Sequence, residues 1–251
     1  MSLAPPTPTA VPVHVLPQTS MPTTTLDVSL LNLVAHEMRA PITIFKGYLS
    51  MLRDGTLDET AFFDAVRVME TKAEELEGLA EILATAARLE SADLPHQPIV
   101  FDIAKAVDTA ARQIAPRAKL EEARLAVRPL QEPVWVWADP DQVARVLANL
   151  LGNALTHTGP KAEVSVEIRP TSPVEVAVRD CGLGIAVERQ ERIFERFSRF
   201  AEGGVNRPAG LGLGLSISRD LAELNGGELL LESSEIGTGS VFVLRLPVLE
   251  S

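Results

Sequence analysis

His36 and Glu37 stand side by side in the run Leu31-Asn32-Leu33-Val34-Ala35-His36-Glu37-Met38-Arg39-Ala40-Pro41-Ile42. A neutral imidazole has one ring nitrogen free to act as a nucleophile, and an adjacent carboxylate can hold or accept the proton on the other. Three further groups lie far downstream. Asn149 and Asn153, four residues apart in Asn149-Leu150-Leu151-Gly152-Asn153, share one face of a helix and can offer amide oxygens to a hard cation and to phosphate-bound water. Asp180-Cys181-Gly182-Leu183-Gly184-Ile185 follows a β-like run. Its carboxylate can accept from an exocyclic amine such as that of adenine, and its glycines let the backbone turn tightly against a ligand. Gly210-Leu211-Gly212-Leu213-Gly214-Leu215-Ser216-Ile217 leads into a helix, so its amides and the positive helix end suit an anion. This is not a P-loop, since no Gly-Lys-Ser/Thr follows, nor a dinucleotide fingerprint, since no strand leads closely into it. Between the last two groups, Arg192 to Pro208 carries Arg196, Arg199, Arg207, Gly203 and Gly204, the composition of a basic lid. Standing alone, the asparagines would be ordinary surface residues and the D-x-G-x-G an ordinary turn. Together the groups describe a nucleotide donor and a histidine acceptor.

The elements that must position these groups differ between the two halves of the chain. Residues 1–25 are rich in Pro, Thr and Ala with almost no charge, the composition of a tail that builds no core. From Leu26 to Leu52, apolar Leu31, Ala35, Met38, Ile42, Phe45, Leu49 and Leu52 repeat at alternating spacings of four and three, a heptad seam. A turn at Arg53-Asp54-Gly55-Thr56-Leu57-Asp58 follows. A second seam then runs through Phe62, Val66, Met69, Ala73, Leu76, Ala80, Leu83 and Ala87. The pattern predicts a hairpin of two helices, each roughly 40 Å long at 1.5 Å per residue. Two such helices bury little by themselves, so the expectation is a homodimer in which two hairpins form a four-helix bundle. Pro41 falls inside the first helix, either as a tolerated defect or as a bend that opens the backbone beside His36.

Ser91 to Pro98 reads as a linker, after which the pattern turns to mixed α and β. Helices are predicted over 103–115, from the Asp139 cap and Pro140 to about His157, over 187–195 and over 213–224. Strands are predicted over 124–128, 134–137, 163–169, 174–180, 228–232 and 240–246. Trp135 and Trp137 alternate on a strand, so one is expected to face the core. His14 and His96 are expected in solvent, His157 to suit the end of its helix, and Cys181 to be a small filler rather than a redox switch.

Composition narrows the partners. The net charge of −11 argues against nucleic acid or an anionic membrane as the main partner, since both need a basic patch, and leaves room for a local basic pocket for phosphates. One cysteine forms no internal disulfide, in keeping with a reducing compartment. No uncharged apolar run reaches about 18 residues and no signal peptide is legible, so a cytoplasmic location without a transmembrane segment is expected.

Read in order, His36-Glu37-Met38-Arg39-Ala40-Pro41, the paired asparagines, D-x-G-x-G, Phe194-Glu195-Arg196-Phe197, G-x-G-x-G and the closing Gly237-Thr238-Gly239 resemble a sensor histidine kinase of a bacterial two-component system. The resemblance covers about Leu26 to Pro247. It implies an α+β chain in three parts: the tail at 1–25, a dimerisation and phosphotransfer domain at 26–92, and a catalytic domain at 97–250. The last would be an α/β sandwich that binds ATP, of the histidine kinase and chaperone ATPase type. Carried over by position, His36 resembles the phosphoacceptor and Glu37 the carboxylate that assists it. Asn153 resembles the Mg2+ ligand, with Asn149 beside it, and Asp180 the adenine-recognising carboxylate. Gly182, Gly184, Gly210, Gly212 and Gly214 resemble the backbone of the nucleotide pocket, and Arg196 and Arg199 its lid.

The implied activity is ATP-dependent autophosphorylation of His36 followed by transfer to an aspartate of a response regulator. Two positions depart from the family pattern. Thr156 is neutral where the family often carries a phosphate-contacting lysine or arginine, a charge that Arg196, Arg199 or Arg207 can supply. Ala40 replaces a polar residue linked with dephosphorylating the partner, which puts phosphatase activity in doubt. The rival readings are a nucleotide-binding dimeric scaffold with little turnover, and a chaperone- or repair-type ATPase, which has no need of the His36 hairpin.

Overall fold

A computed structural model describes residues 28–90, 94–159, 161–196, 198 and 212–248. Its described residues divide into two compact units, a hairpin up to Glu90 and an α/β unit from Leu94 onward.

The hairpin consists of α1 (Val28–Arg53) and α2 (Glu59–Glu90). Asp58 caps α2, its Oδ1 accepting from the Ala61 N–H at 2.8 Å. The turn between the helices places Gly55 at φ +65°, a left-handed conformation that glycine adopts without cost. Pro41 is accommodated within α1 and does not end it. Only Pro41, Ala65 and Thr85 among the described hairpin side chains are buried. The predicted seams stay open. Ile42 and Phe45 of α1 meet Ala73 and Leu76 of α2 along an apolar groove of about 360 Å³, bordered by Lys46 and Glu77. Ile42 remains 39% exposed, Leu49 53% and Phe62 44%. Helices with this much uncovered apolar surface gain most of their stability from a further packing partner.

The α/β unit is closed. Its elements are β1 (Ile99–Asp102), α3 (Ile103–Leu120), β2 (Arg124–Val127), β3 (Trp135–Ala138), α4 (Pro140–Thr158), β4 (Glu163–Arg169), β5 (Val174–Asp180), the single turn α5 (Val187–Gln190), α6 (Gly214–Leu224), β6 (Glu228–Glu235) and β7 (Gly239–Leu246). A five-stranded sheet runs in the order β2-β4-β5-β7-β6, and β1 pairs with β3 in a separate ribbon. All pairs are antiparallel except β2 with β4. In α4, Val143, Val146, Leu147, Leu150 and Leu151 are at most 2% exposed, so the stripe read from the sequence faces the core. They pack with Val164, Val166, Val176, Val178 and Leu244 of the sheet and with Ile103, Val107 and Leu221 of the flanking helices. On the other sheet face, Arg169 bridges Glu175 and Glu232 while Arg245 bridges Glu175 and Glu228.

Polar groups tie the start of α4 to the segment before β1 and to the end of α6. Asp139 caps α4, its Oδ1 accepting from the N–H groups of Asp141 (3.0 Å) and Gln142 (3.2 Å). Its Oδ2 accepts from the Gln97 N–H at 2.8 Å, and its own N–H donates to Asn225 Oδ1 at 2.7 Å. Asn225 Nδ2 in turn donates to Gln142 Oε1 at 2.9 Å. His96 lies half-buried with Nδ1 3.3 Å from Gln142 Oε1, so it is not the solvated linker residue expected.

Other expectations are corrected. The strand β1 was not foreseen. Residues 191–196 form successive turns, so the helix expected over 187–195 stops at Gln190. Trp135 and Trp137 both point away from the buried Val136 and Ala138, because residues two apart on a strand share a face.

Candidate functional site

The α4 face carrying the asparagines meets the first turn of α6. Asn149 is half-buried, and its Nδ2 donates to Ser218 Oγ at 2.9 Å. A Cβ on Gly214 would lie only 2.5 Å from Asn149 Oδ1, so the close approach of α6 to α4 requires glycine at this position. One turn along α4, Asn153 is half-buried, and none of the described residues bonds its amide. The two amides therefore differ: Asn149 holds α6, whereas the Asn153 amide bonds none of the described residues.

Asp180 ends β5 and is 7% exposed. Its Oδ1 accepts from the Gly182 N–H at 2.8 Å. Burial raises the carboxyl above the ordinary aspartate value, and the backbone N–H groups of Gly182 and Ser240 pull it partway back. The turn after Asp180 is held from two sides. The Leu183 N–H donates to the His157 carbonyl at the end of α4 (3.2 Å), and the Gly237 N–H of the β6–β7 turn donates to the Leu183 carbonyl (2.9 Å). The Ile185 N–H donates to Ser234 Oγ at 2.8 Å. Gly184 adopts φ +68°, and a Cβ there would collide with the Glu235 carbonyl, so both conformation and space demand glycine. Gly182 is also closely approached, with the His157 carbonyl oxygen 2.6 Å from where its Cβ would stand. A buried carboxylate thus sits at the mouth of a rigid, glycine-lined turn beside the asparagine helix.

After α5, Arg196 Nη2 donates to Asp220 of α6 at 3.0 Å, and Arg219 lies 3.9 Å over the ring of Phe194. Phe194 is buried edge-to-face against Phe242. The Phe194-Glu195-Arg196 segment is thereby anchored on α6 and β7. Gly212 takes φ +67° just before α6. Arg199, Arg207, Gly203, Gly204 and Gly210 lie outside the described residues.

Thr156 has a partner that sequence reading missed. Its hydroxyl donates to the Gly152 carbonyl at 2.9 Å and accepts from Arg117 Nη2 of α3 at 2.9 Å. Arg117 and Thr156 are far apart in sequence, and no local pattern links them. Cys181 is exposed, which corrects its reading as a filler. On the hairpin, His36 is exposed and Glu37 half-buried, while Ala40 lies exposed one turn on.

The arrangement fits a nucleotide with a magnesium ion. No cluster of three or more His, Cys, Asp or Glu suited to a metal occurs among the described residues. Mg2+ commonly takes few protein ligands and completes its shell with phosphate and water, so a single amide oxygen at Asn153 is a fitting donor.

Residues 138–250 match the family of histidine kinase-, DNA gyrase B- and HSP90-like ATPases. Sensor protein SrrB of Staphylococcus aureus (strain MRSA252) is 28% identical over 216 residues, which is 85% of this chain and 37% of that protein. The chain therefore spans little more than a third of the curated relatives it matches. Among solved structures, the catalytic domain of the histidine kinase ThkA is 25% identical with a TM-score of 0.52, covering 60% of this chain and 97% of that one. Full-length ShkA in complex with AMPPNP is 25% identical with a TM-score of 0.60, covering 89% of this chain and 46% of that one. ThkA in complex with the response regulator TrrA is similar in fold, at 23% identity and a TM-score of 0.63, covering 88% of this chain and 62% of that one. The two-helix hairpin, the ATPase-type sandwich that follows it in sequence and these relatives agree: the chain is similar to the sensor histidine kinases of bacterial two-component systems.

Proposed function

We propose that this chain binds ATP in the α4–β5–α6 pocket, phosphorylates itself on His36 and passes the phosphoryl group to an aspartate of a response regulator. One observation carries the reading: an exposed imidazole with a following carboxylate on α1 occurs in the same chain as a pocket that joins a buried carboxylate, a free amide and glycine-shaped turns. Asp180 accepts the exocyclic amine of adenine. The amides of the turn before α6 and the positive end of that helix face the phosphates. Asn153 would hold magnesium, which would supply positive charge against the charge that develops on the transferring phosphoryl group. His36 forms the N–P bond as the bond from the γ-phosphorus to the bridging oxygen breaks and ADP leaves with the electron pair. Glu37 holds the proton on the other ring nitrogen and so keeps the attacking nitrogen unprotonated.

The open seams of α1 and α2 support a homodimer, in which a second hairpin covers the Ile42–Leu76 groove. The chain holds no helix among its described residues long and apolar enough to cross a membrane. A cytoplasmic site of action is in keeping with a response-regulator partner. The second reading is a nucleotide-binding dimeric scaffold with little turnover, and the neutral Thr156 favours it.

Incubation with γ-labelled ATP and magnesium tests both. Acid-labile, base-stable label is expected on the wild type and none on His36→Gln. Asn153→Ala should abolish labelling through loss of the metal. ATP binding without any label on the wild type would establish the scaffold instead, and label persisting on His36→Gln would refute the acceptor.

A further inference from the structure

A pocket for a polyphosphate needs positive charge, and the stretch of α4 formed by Asn149, Gly152, Asn153 and Thr156 does not supply it. The neighbouring helix does. Arg117 in the last turn of α3 extends to α4, where Nη2 donates to Thr156 Oγ1 at 2.9 Å. The same guanidinium lies over Gly152, with Nη1 3.9 Å from where a Cβ on that residue would stand. Its Nε donates to Glu121 at 2.8 Å. The plane is thus gripped at two corners, while Nη1 bonds none of the described residues. Side chains three and four apart on a helix are neighbours, so Thr156 stands beside Asn153 on the α4 surface. The residue that holds the guanidinium therefore borders the amide that would hold the metal.

On the reading that this pocket binds ATP, we infer that Arg117 is its phosphate-binding cation, delivered from α3 and held in place by Thr156. Thr156 is then a socket and not merely a lost charge. Its hydroxyl gives its proton to the Gly152 carbonyl, which leaves the oxygen lone pairs directed to Arg117. Arginine suits the task, since its planar fork keeps donors for phosphate oxygens while other N–H groups hold the fork in place. Glu121 counts against the phosphates, because its carboxylate partly neutralises the same guanidinium. Side chains of the pair are 42% and 31% exposed, so this attraction is screened and weak enough for the anion to compete. This separates two functions that are easily conflated. Glu121 and Thr156 orient Arg117, and only Arg117 carries charge to the ligand.

Calorimetric titration of the full chain with Mg·ATP and, separately, with adenosine tests the assignment. Arg117→Ala should weaken ATP about tenfold, a change of about 1.4 kcal/mol, and leave adenosine unaltered. Thr156→Lys in the Arg117→Ala background should regain most of that loss, because it places an ammonium on the same face. Glu121→Gln should bind ATP as well as the wild type or several-fold more tightly. Equal ATP affinity in Arg117→Ala and the wild type would overturn the inference while leaving the ATP pocket intact. Equal weakening of ATP and adenosine would also overturn it, since that marks a structural role. So would a matching ATP loss in Glu121→Gln, which would reduce Arg117 to a partner of Glu121. A wild type that binds neither ligand removes the ATP pocket itself, and with it the ground for this inference.

Discussion

The hairpin and the α/β unit are built from similar proportions of apolar residues but use them in opposite ways. In the α/β unit the apolar stripe of α4 is covered: Leu147, Leu150, Leu151 and Leu155 are each 1% exposed. In the hairpin the stripe stays open along the Ile42–Leu76 groove. A unit that covers its own stripe is a finished folding domain. A unit that leaves a stripe open has apolar surface still to be covered. The chemistry divides in the same way. The proposed nucleotide pocket is formed by glycine turns and buried polar clamps, whereas the proposed acceptor imidazole sits exposed on a helix surface.

The sharpest way to break this contrast is to damage each unit where it is supposed to be strong. Leu150→Ala should cost the α/β unit about 2–5 kcal/mol, seen as a lower denaturation midpoint. A cost comparable to a surface mutation would mean that α4 is not the keystone of a closed core. Ile42→Asp puts a charge into the open groove. It should raise the dimer dissociation constant about a hundredfold in sedimentation experiments and leave adenosine binding unchanged. An unchanged monomer–dimer balance would show that the groove is not the interface.

Acid titration sharpens the comparison at the pocket itself. Burial raises the Asp180 carboxyl, so the folded state binds that proton more tightly than the unfolded state does. Above its folded value the buried charge therefore lowers stability, and the cost is relieved as the pH falls through that value. Adenosine affinity should move the other way, declining on the acid side at a higher pH than an ordinary aspartate of about 3.9 would dictate. Asp180→Asn should remove this pH dependence. A decline that survives in Asp180→Asn would assign it to another group. The smallest effect belongs to the ion pairs at the rim of the second sheet face. Arg169→Ala breaks pairs with Glu175 and Glu232 but should cost no more than about 1 kcal/mol in thermal unfolding, because these side chains are partly solvated.

Much of the scaffold was legible because it is written in local periodicity. The α4 stripe, its Asp139-Pro140 start and the strands 163–169 and 174–180 all follow from spacing and caps that act within a few residues. The failures share a cause. β1 is four residues long and is defined by its partner β3, so nothing local marks it. The turns over 191–196 carry a helical composition but are shaped by Phe194 docking on Phe242. His96 looks like a linker residue until Gln142 is brought to it from 46 positions away.

The sequence alone therefore determined the order of the motifs, the two seams, and the residues in which an acceptor and a nucleotide pocket would be sought. These depend on residue type and short-range spacing, and both are present in the unfolded chain. Tertiary structure decided which amide is spent and which is free, because Ser218 and Gly214 claim Asn149 and leave Asn153. It made Gly184 obligatory by setting it against the Glu235 carbonyl. It also brought Arg117 of α3 to Thr156, setting a guanidinium beside a position that is neutral in the sequence. Contacts of this kind join positions that only the packing of α3, α4, α6 and the sheet makes neighbours, and side-chain reach across such packing has no signature in local periodicity.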